Sequence, residues 1–339
     1  IFKINDWRLN MTFKYNNVYI NDSATVTGPY ESNGPLSKYF DKSYDDLYFG
    51  TKTWELAEVK LIEESIDILL NKISKTKFDI NVLISGDLLN QLVATNYAAS
   101  SLGIPLIRIY GACSTSVLGL IIAANMIESG QIKNAIASTS SHNNAAEKQF
   151  RYPTEYGGPK RKTTTFTATG GASAYLSSYK KGIKVESWTL GTVVDLGITD
   201  VYHMGAVMAP AAAKTIYDHL RETKREIGYY DLILTGDLGI YGKEILKDYM
   251  LSEYNIDLKN YDDCGTIIYD VSKQPVYAGA SGPACAPLVT YSYIFNKMYK
   301  REIKRVLLIA TGALMNTTMV NTKNTIPAIA HAISLEVVE

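Results

Sequence analysis

Only three cysteines, Cys113, Cys264 and Cys285, occur in 339 residues, widely spaced and odd in number. That count excludes a disulfide framework, and the lack of close CxxC pairs excludes a cysteine zinc site. A reducing compartment is the simpler setting. Net charge is also lacking: 34 Lys and Arg balance 34 Asp and Glu, so composition announces no strongly basic surface and gives no reason to expect nucleic acid. The most apolar stretches, such as 117–124, fall far short of the roughly 20 residues of a membrane-spanning helix, and the first residues lack a basic-then-apolar leader pattern. The expectation is a soluble chain, which does not exclude docking onto a membrane complex. Histidine is scarce, with four in all, His142, His203, His219 and His331. Tyrosine is abundant at 25, but scattered and often beside charges, a pattern of amphipathic surfaces and interfaces.

The length suits two core-sized halves of roughly 100–200 residues each. Over 54–73 the residues Leu56, Val59, Ile62, Ile66, Leu69, Leu70 and Ile73 recur at helical spacing, with Thr53 as N-cap and Glu55 and Glu58 suited to the positive end. A short apolar strand at 80–84 stops at Ser85-Gly86-Asp87 and is followed by a helix to about Leu102. A second buried strand at 106–110 ends at Gly111, a helix follows over 114–128, and a third strand over 135–139. Strands alternating with helices predict parallel pairing in an α/β layered architecture.

This order repeats. Leu83-Ile84-Ser85-Gly86-Asp87-Leu88 is echoed by Leu234-Thr235-Gly236-Asp237-Leu238, and Gly111-Ala112-Cys113-Ser114 by Gly279-Ala280-Ser281-Gly282 ahead of a helical run to Met298. Ile132-Lys133-Asn134 before one strand is echoed by Ile303-Lys304-Arg305 before another at 306–310. Three matches in the same order predict two duplicated halves, 1–182 and 183–339, with a ligand site where they meet. Between them, 141–169 carries His142, Arg151, several aromatics and Lys160-Arg161-Lys162. Its composition predicts an ordered loop lining a site or an interface; a surface excursion is the alternative.

Cys113 stands between a buried strand and an apolar helix, where free N–H groups and the helix dipole stabilise either a thiolate or a bound anion. A buried, inert cysteine is the bland alternative, made weaker by the helix-start position.

The duplicated order with a Gly-Ala-Cys-Ser elbow resembles the thiolase superfamily, in particular its ketoacyl synthase III type, and implies a layered α/β/α/β/α fold. In that family the cysteine works with a histidine in the second half and with an asparagine in a Gly-Asn-Thr-Ser run. At the histidine's place this chain has Thr235-Gly236-Asp237-Leu238-Gly239, and at the asparagine's place Gly279-Ala280-Ser281-Gly282. An ionised Asp237 would repel a developing oxyanion and disfavour the thiolate. Losing base and oxyanion donor together costs on the order of a hundredfold or more each. Of the four histidines, His219 reads as a surface residue of a helix, His331 lies near the end of the sequence, and His142 and His203 stay open as replacements. The expectation is a protein with no catalytic residue, no metal site and no cofactor.

Longer strings resemble the stage V sporulation protein AD family of spore-forming bacteria. They lie at 34–41, 86–91, 111–116, 140–143, 208–213, 310–314 and 326–332, and above all at Glu147-Lys148-Gln149-Phe150-Arg151-Tyr152-Pro153-Thr154-Glu155-Tyr156-Gly157. They run through essentially the whole chain. A departure is Gly282-Pro283-Ala284-Cys285-Ala286, with proline and alanine where glycine and cysteine or serine are expected. The resemblance implies binding of dipicolinic acid, pyridine-2,6-dicarboxylate, or its calcium chelate. It further implies uptake into the developing spore with membrane-embedded proteins of the same operon, a place on the inner spore membrane, and a role in germination. A homodimer is a further family expectation. For the ligand site the expectation is Cys113, Ser114, Arg151, Asp237 and Ser281: N–H groups and hydroxyls of the helix start, a guanidinium fork, and a carboxylate suited to calcium. Two alternatives are an acyltransferase using Cys113 and a structural subunit with a vestigial pocket.

Overall fold

A computed structural model describes residues 10–150 and 160–338. Ten strands form the main path of its sheet: β1 (Tyr19–Thr27), β2 (Leu83–Gly86), β3 (Leu106–Arg108), β4 (Asn134–Ser141), β5 (Gly170–Ser177), β6 (Ile183–Thr189), β7 (Leu232–Thr235), β8 (Tyr261–Asp263), β9 (Arg305–Ala313) and β10 (Ala328–Val337). The first five lie in the order β3-β2-β4-β5-β1 and the next five in the order β8-β7-β9-β10-β6. Adding five to each number of the first set gives the second. Parallel and antiparallel pairings correspond as well: β2 is parallel to β3 and β4, as β7 is to β8 and β9, and the remaining neighbours in both sets are antiparallel. The letter-level echoes are thus the trace of a repeated topology. The two sets join edge to edge through two residue pairs, Tyr19 with Lys184 and Ile20 with Ile183.

Seven longer helices among the described residues complete the layers: α1 (Trp54–Lys72), α2 (Val93–Leu102), α3 (Thr115–Glu128), α4 (Asn143–Phe150), α5 (Met204–Thr223), α6 (Gly239–Tyr254) and α7 (285–299), which contains a π turn at Thr290–Ile294. The apolar helix α3 touches strands of both sets, β2 and β4 on one side and β9 and β10 on the other, whereas α1 covers the first set and α5 the second. A helix with apolar residues all round is what a central layer requires, and Val117, Leu120, Ala123 and Ala124 are fully buried there. The arrangement is the expected α/β/α/β/α stack.

Some local expectations need correction. Thr53 does cap α1, accepting from the Leu56 N–H at 3.2 Å, but Leu56 is 43 % exposed because the apolar stripe begins one turn later. Glu58, expected at the positive end, stands beyond the first turn, where Glu55 is the acidic residue. Glu58 is fully buried, where it accepts a hydrogen bond from the Ser140 hydroxyl at 3.0 Å, and burial holds its carboxyl well above the ordinary range. The segment at 106–110 is not a buried strand: β3 ends the strand order, with Leu106 and Ile107 half-buried and Arg108 exposed. Pairing along one edge only leaves such a strand short.

Candidate functional site

The turn before α3 is built by its own side chains. The Ser114 hydroxyl donates to the Gly111 carbonyl at 2.6 Å, the Thr115 hydroxyl to the Ala112 carbonyl at 2.6 Å, and the Gly111 N–H donates to the Thr115 hydroxyl oxygen at 3.1 Å. Ala112 takes φ of 49°, a left-handed conformation that costs energy in any residue with a Cβ. Its effect is to turn Cys113 outward at the end of the sheet. A strand of the second half braces the turn from behind: a Cβ on Gly312 would sit 2.4 Å from the Gly111 carbonyl oxygen.

Opposite Cys113, the end of β7 presents Asp237, which is 1 % exposed. Its carboxylate accepts from the Thr311 hydroxyl at 2.5 Å, from the Gly282 N–H at 3.2 Å, and from the Cys113 thiol. Burial outweighs these bonds and pushes the carboxyl up to about 6. Sequence alone suggested an aspartate fully ionised at neutral pH; the structure brings its titration close to that range. A second buried carboxylate, Asp263, shapes the same turn by accepting from the Leu238 and Gly239 N–H groups, each at 2.9 Å, and burial raises it to about 7, with Asp237 adding to the rise.

Gly282 and Ser281 are held in place by the loop after α4. Phe166–Thr167 pairs in parallel with Ala280–Ser281, and the Ala168 N–H donates to the Ser281 carbonyl at 2.8 Å. This two-strand clip ties one half to the other at the site. The predicted role of the 141–169 segment in lining the site therefore holds for its described part.

Between these elements lies a narrow cavity of about 50 Å³, room for a few water molecules. Its lining includes Cys113, Ser281, Gly282 and Thr167, with apolar surface from Met204, Met208, Met315, Phe150, Tyr110 and Leu88. No charged side chain is among these described lining residues. The sequence-predicted residues therefore divide. Cys113 and Ser281 face the cavity, and Asp237 lies directly beneath, bonded to Cys113. Ser114 does not reach it, since it is fully buried with its hydroxyl on Gly111 and its N–H donating to the Gly111 carbonyl at 3.0 Å. That turn consumes N–H capacity expected for an anion. Arg151 lies outside the described residues.

None of the four histidines lines the cavity. His142 is buried against the Leu47 carbonyl, 2.8 Å from Nε2, and burial depresses it to about 4. His203 caps α5, its Nδ1 accepting from the Ala206 N–H at 3.3 Å. His219 is no surface residue: it is fully buried between the Thr189 and Tyr230 hydroxyls and depressed to about 3. His331 accepts from the Gly191 N–H at 3.2 Å and is depressed by burial to about 4. Two features of the site were not read from the sequence pattern. One is Thr311, which holds Asp237. The other is the methionine wall, whose signal was the spacing of Met204 and Met208, four residues apart on one helix face.

Comparison with known proteins accords with this geometry. The family model for stage V sporulation protein AD matches residues 9–336. Stage V sporulation protein AD of Bacillus subtilis (strain 168) is 47% identical over 320 residues, covering 94% of this chain and 94% of that one. Among solved structures, a variant of Xanthomonas campestris OleA superposes with a TM-score of 0.61 at 14% identity, over 96% of this chain and 99% of the other. The 3-oxoacyl-[acyl-carrier-protein] synthase III of Aquifex aeolicus VF5 superposes with a TM-score of 0.56, also at 14% identity and over 96% and 99%. These two likenesses establish the thiolase-like fold.

Proposed function

We propose that this chain, which belongs to the stage V sporulation protein AD family, holds a small planar ligand above Cys113 and performs no condensation there. The observation that carries this reading is the Asp237 carboxylate accepting from the Cys113 thiol, where the resemblance to condensing enzymes puts a histidine. A condensing site needs a thiolate and a donor for the thioester oxygen. A carboxylate supplies no hydrogen while ionised, and it favours the protonated sulfur. No imidazole from the four histidines reaches the cavity to replace it.

The ligand we assign is dipicolinic acid as its calcium chelate. Two bare carboxylates would enter a cavity with no cationic side chain among its described lining residues and a buried carboxylate beneath. Desolvating that dianion is costly, whereas the chelate is neutral overall and presents a flat ring to apolar walls. Among the described residues no cluster of three His, Cys, Asp or Glu side chains forms a metal cage, so calcium would arrive with the dicarboxylate as its ligand. The cavity must widen to admit it, and three of its walls are methionines, whose unbranched side chains repack readily. In this reading the protein works at the inner spore membrane of the developing spore, without a cofactor. It serves uptake of the compound together with membrane-embedded proteins of the same complex, and its release in germination. Among the described residues no helix is long and apolar enough to cross a membrane, and the membrane step is assigned to those partners. A homodimer belongs to the same reading: among the described residues no strand pairs with the outer edge of β3, and a second copy adding there would extend the sheet.

Calorimetric titration with dipicolinate, with and without calcium, tests the assignment. The chelate is expected to bind at least about tenfold more tightly, a difference of about 1.4 kcal/mol. Equal affinities would remove the metal from the account, and no binding of either would leave a structural subunit with a vestigial pocket. The apolar walls favour one competing reading, an acyl group carried on Cys113. Incubation with acyl-CoA followed by intact-mass measurement decides it, with no adduct expected.

A further inference from the structure

The molecule's balanced charge conceals a polarised surface. At the end of the strands remote from Cys113, a cleft of about 370 Å³ is lined by Lys180, Lys184, Arg301, Lys304 and Arg305, with Glu336 the one acidic residue among its described lining residues. Glu336 is committed to Arg305, accepting from its Nε at 3.0 Å and from its guanidinium at 2.7 Å. Among the described residues no close salt bridge engages Lys180, Lys184 or Lys304, and Lys184 lies near enough to Glu128 for the two charges to interact. A second cleft, of about 450 Å³, shares the turn between β5 and β6 and adds Lys75 and Lys181, together with Asp22 and with Lys72, which is paired to Asp41 at 2.6 Å. Tyr179 stands at that turn, 70 % exposed, and Tyr299 flanks the face at 48 % exposure.

From this placement we propose that the face around the β5–β6 turn docks the protein onto an anionic phospholipid surface. Single lysines on flexible stems, spread over two clefts around exposed tyrosines, match a field of phosphate headgroups, where amphipathic rings and snorkelling lysines meet the interface. An acidic protein segment fits less well, because one of the cleft's two guanidiniums, that of Arg305, is already taken by Glu336 and stacks over Tyr229 at 4.6 Å, which leaves Arg301 alone for forked carboxylate recognition. The geometry also sets an orientation. Strand β9 runs from Arg305 at the basic face to Ala313 in the cavity wall, nine residues, or roughly 26 Å. A bilayer on the basic face leaves the cavity at the end turned away from it.

The proposal is independent of what the cavity holds, since vesicle binding is read without dipicolinate. The full chain is sedimented with vesicles of phosphatidylglycerol in phosphatidylcholine and with phosphatidylcholine alone. Binding is expected only to the first, weakening as salt rises. The triple variant K180Q/K184Q/K304Q is expected to lose on the order of a hundredfold in partitioning, at about fivefold per basic residue near the surface. A control with the same loss of charge at exposed Lys52, Lys273 and Lys323 is expected to bind like the native chain. Circular dichroism and titration of the cavity keep misfolding separate from lost docking. Equal binding to both vesicle types, or equal losses in the two triple variants, overturns the proposal. So does tighter binding of labelled polyglutamate than of anionic vesicles, which would assign the face to an acidic protein.

Discussion

Asp237 is a buried acid whose titration should be visible in stability. With its folded value raised to about 6 from an ordinary 3.8, the folded state holds a proton that the unfolded chain has already released between those two values. Its contribution is therefore most favourable below about pH 4, becomes less so as pH climbs towards 6, and is constant above, a total penalty on the order of 3 kcal/mol at most. Asp237→Asn removes that penalty while keeping an acceptor for the Gly282 N–H. Urea melts should show it more stable than the native chain by about 1–3 kcal/mol at pH 8, the gap closing towards pH 4. The same substitution should speed alkylation of Cys113 by iodoacetamide about tenfold, since a neutral neighbour no longer opposes the thiolate. Cys264 and Cys285, fully buried with thiols pushed well up, should stay unmodified in the native protein, as peptide mass mapping can check. At this scale the sequence placed Cys113, Asp237 and Ser281 correctly together, because each stands at a strand or helix end repeated in both halves. It misplaced Ser114 and His219 and said nothing of the burial of Glu58; these settings depend on which hydroxyl or carbonyl happens to lie opposite, something no local pattern records.

Elements position the site by close backbone approach. Strand β9 passes so near the Cys113 turn that Gly312 has no room for a side chain, with the Gly111 carbonyl oxygen 2.4 Å and the Ser114 nitrogen 3.2 Å from a Cβ placed there. Gly312→Ala must push turn and strand apart. The expected cost is about 1–3 kcal/mol, read as a lower urea midpoint, together with a changed alkylation rate at Cys113 because the turn that presents the thiol moves. By contrast, Gly130→Ala meets no atom within 4 Å and carries only its left-handed φ of 74°, so it should cost about 1 kcal/mol and leave Cys113 unaffected. Helix α1 was legible from apolar spacing and a capping threonine, and α3 from the apolar run that follows the Cys113 turn. The edge position of β3 was not, since a short apolar run reads alike in a central strand and at an edge.

Across the whole molecule, duplication explains why so much of the architecture could be read from letters: two copies of one strand order leave matching punctuation at matching places. Charge behaved oppositely. A balanced total hid the concentration of lysines around the β5–β6 turn, because net charge sums over faces that the fold separates. The same separation puts a basic surface and an apolar cavity at opposite ends of the strands, so that the two proposed activities, docking and ligand binding, would not compete. The central claim, that a ligand sits above Cys113 unchanged, is tested most directly by titrating calcium dipicolinate into native protein and into protein carbamidomethylated at Cys113. The account predicts saturable one-site binding to the native chain that is lost on alkylation, with the ligand recovered intact. Equal heats from both preparations, or none from either, would contradict it.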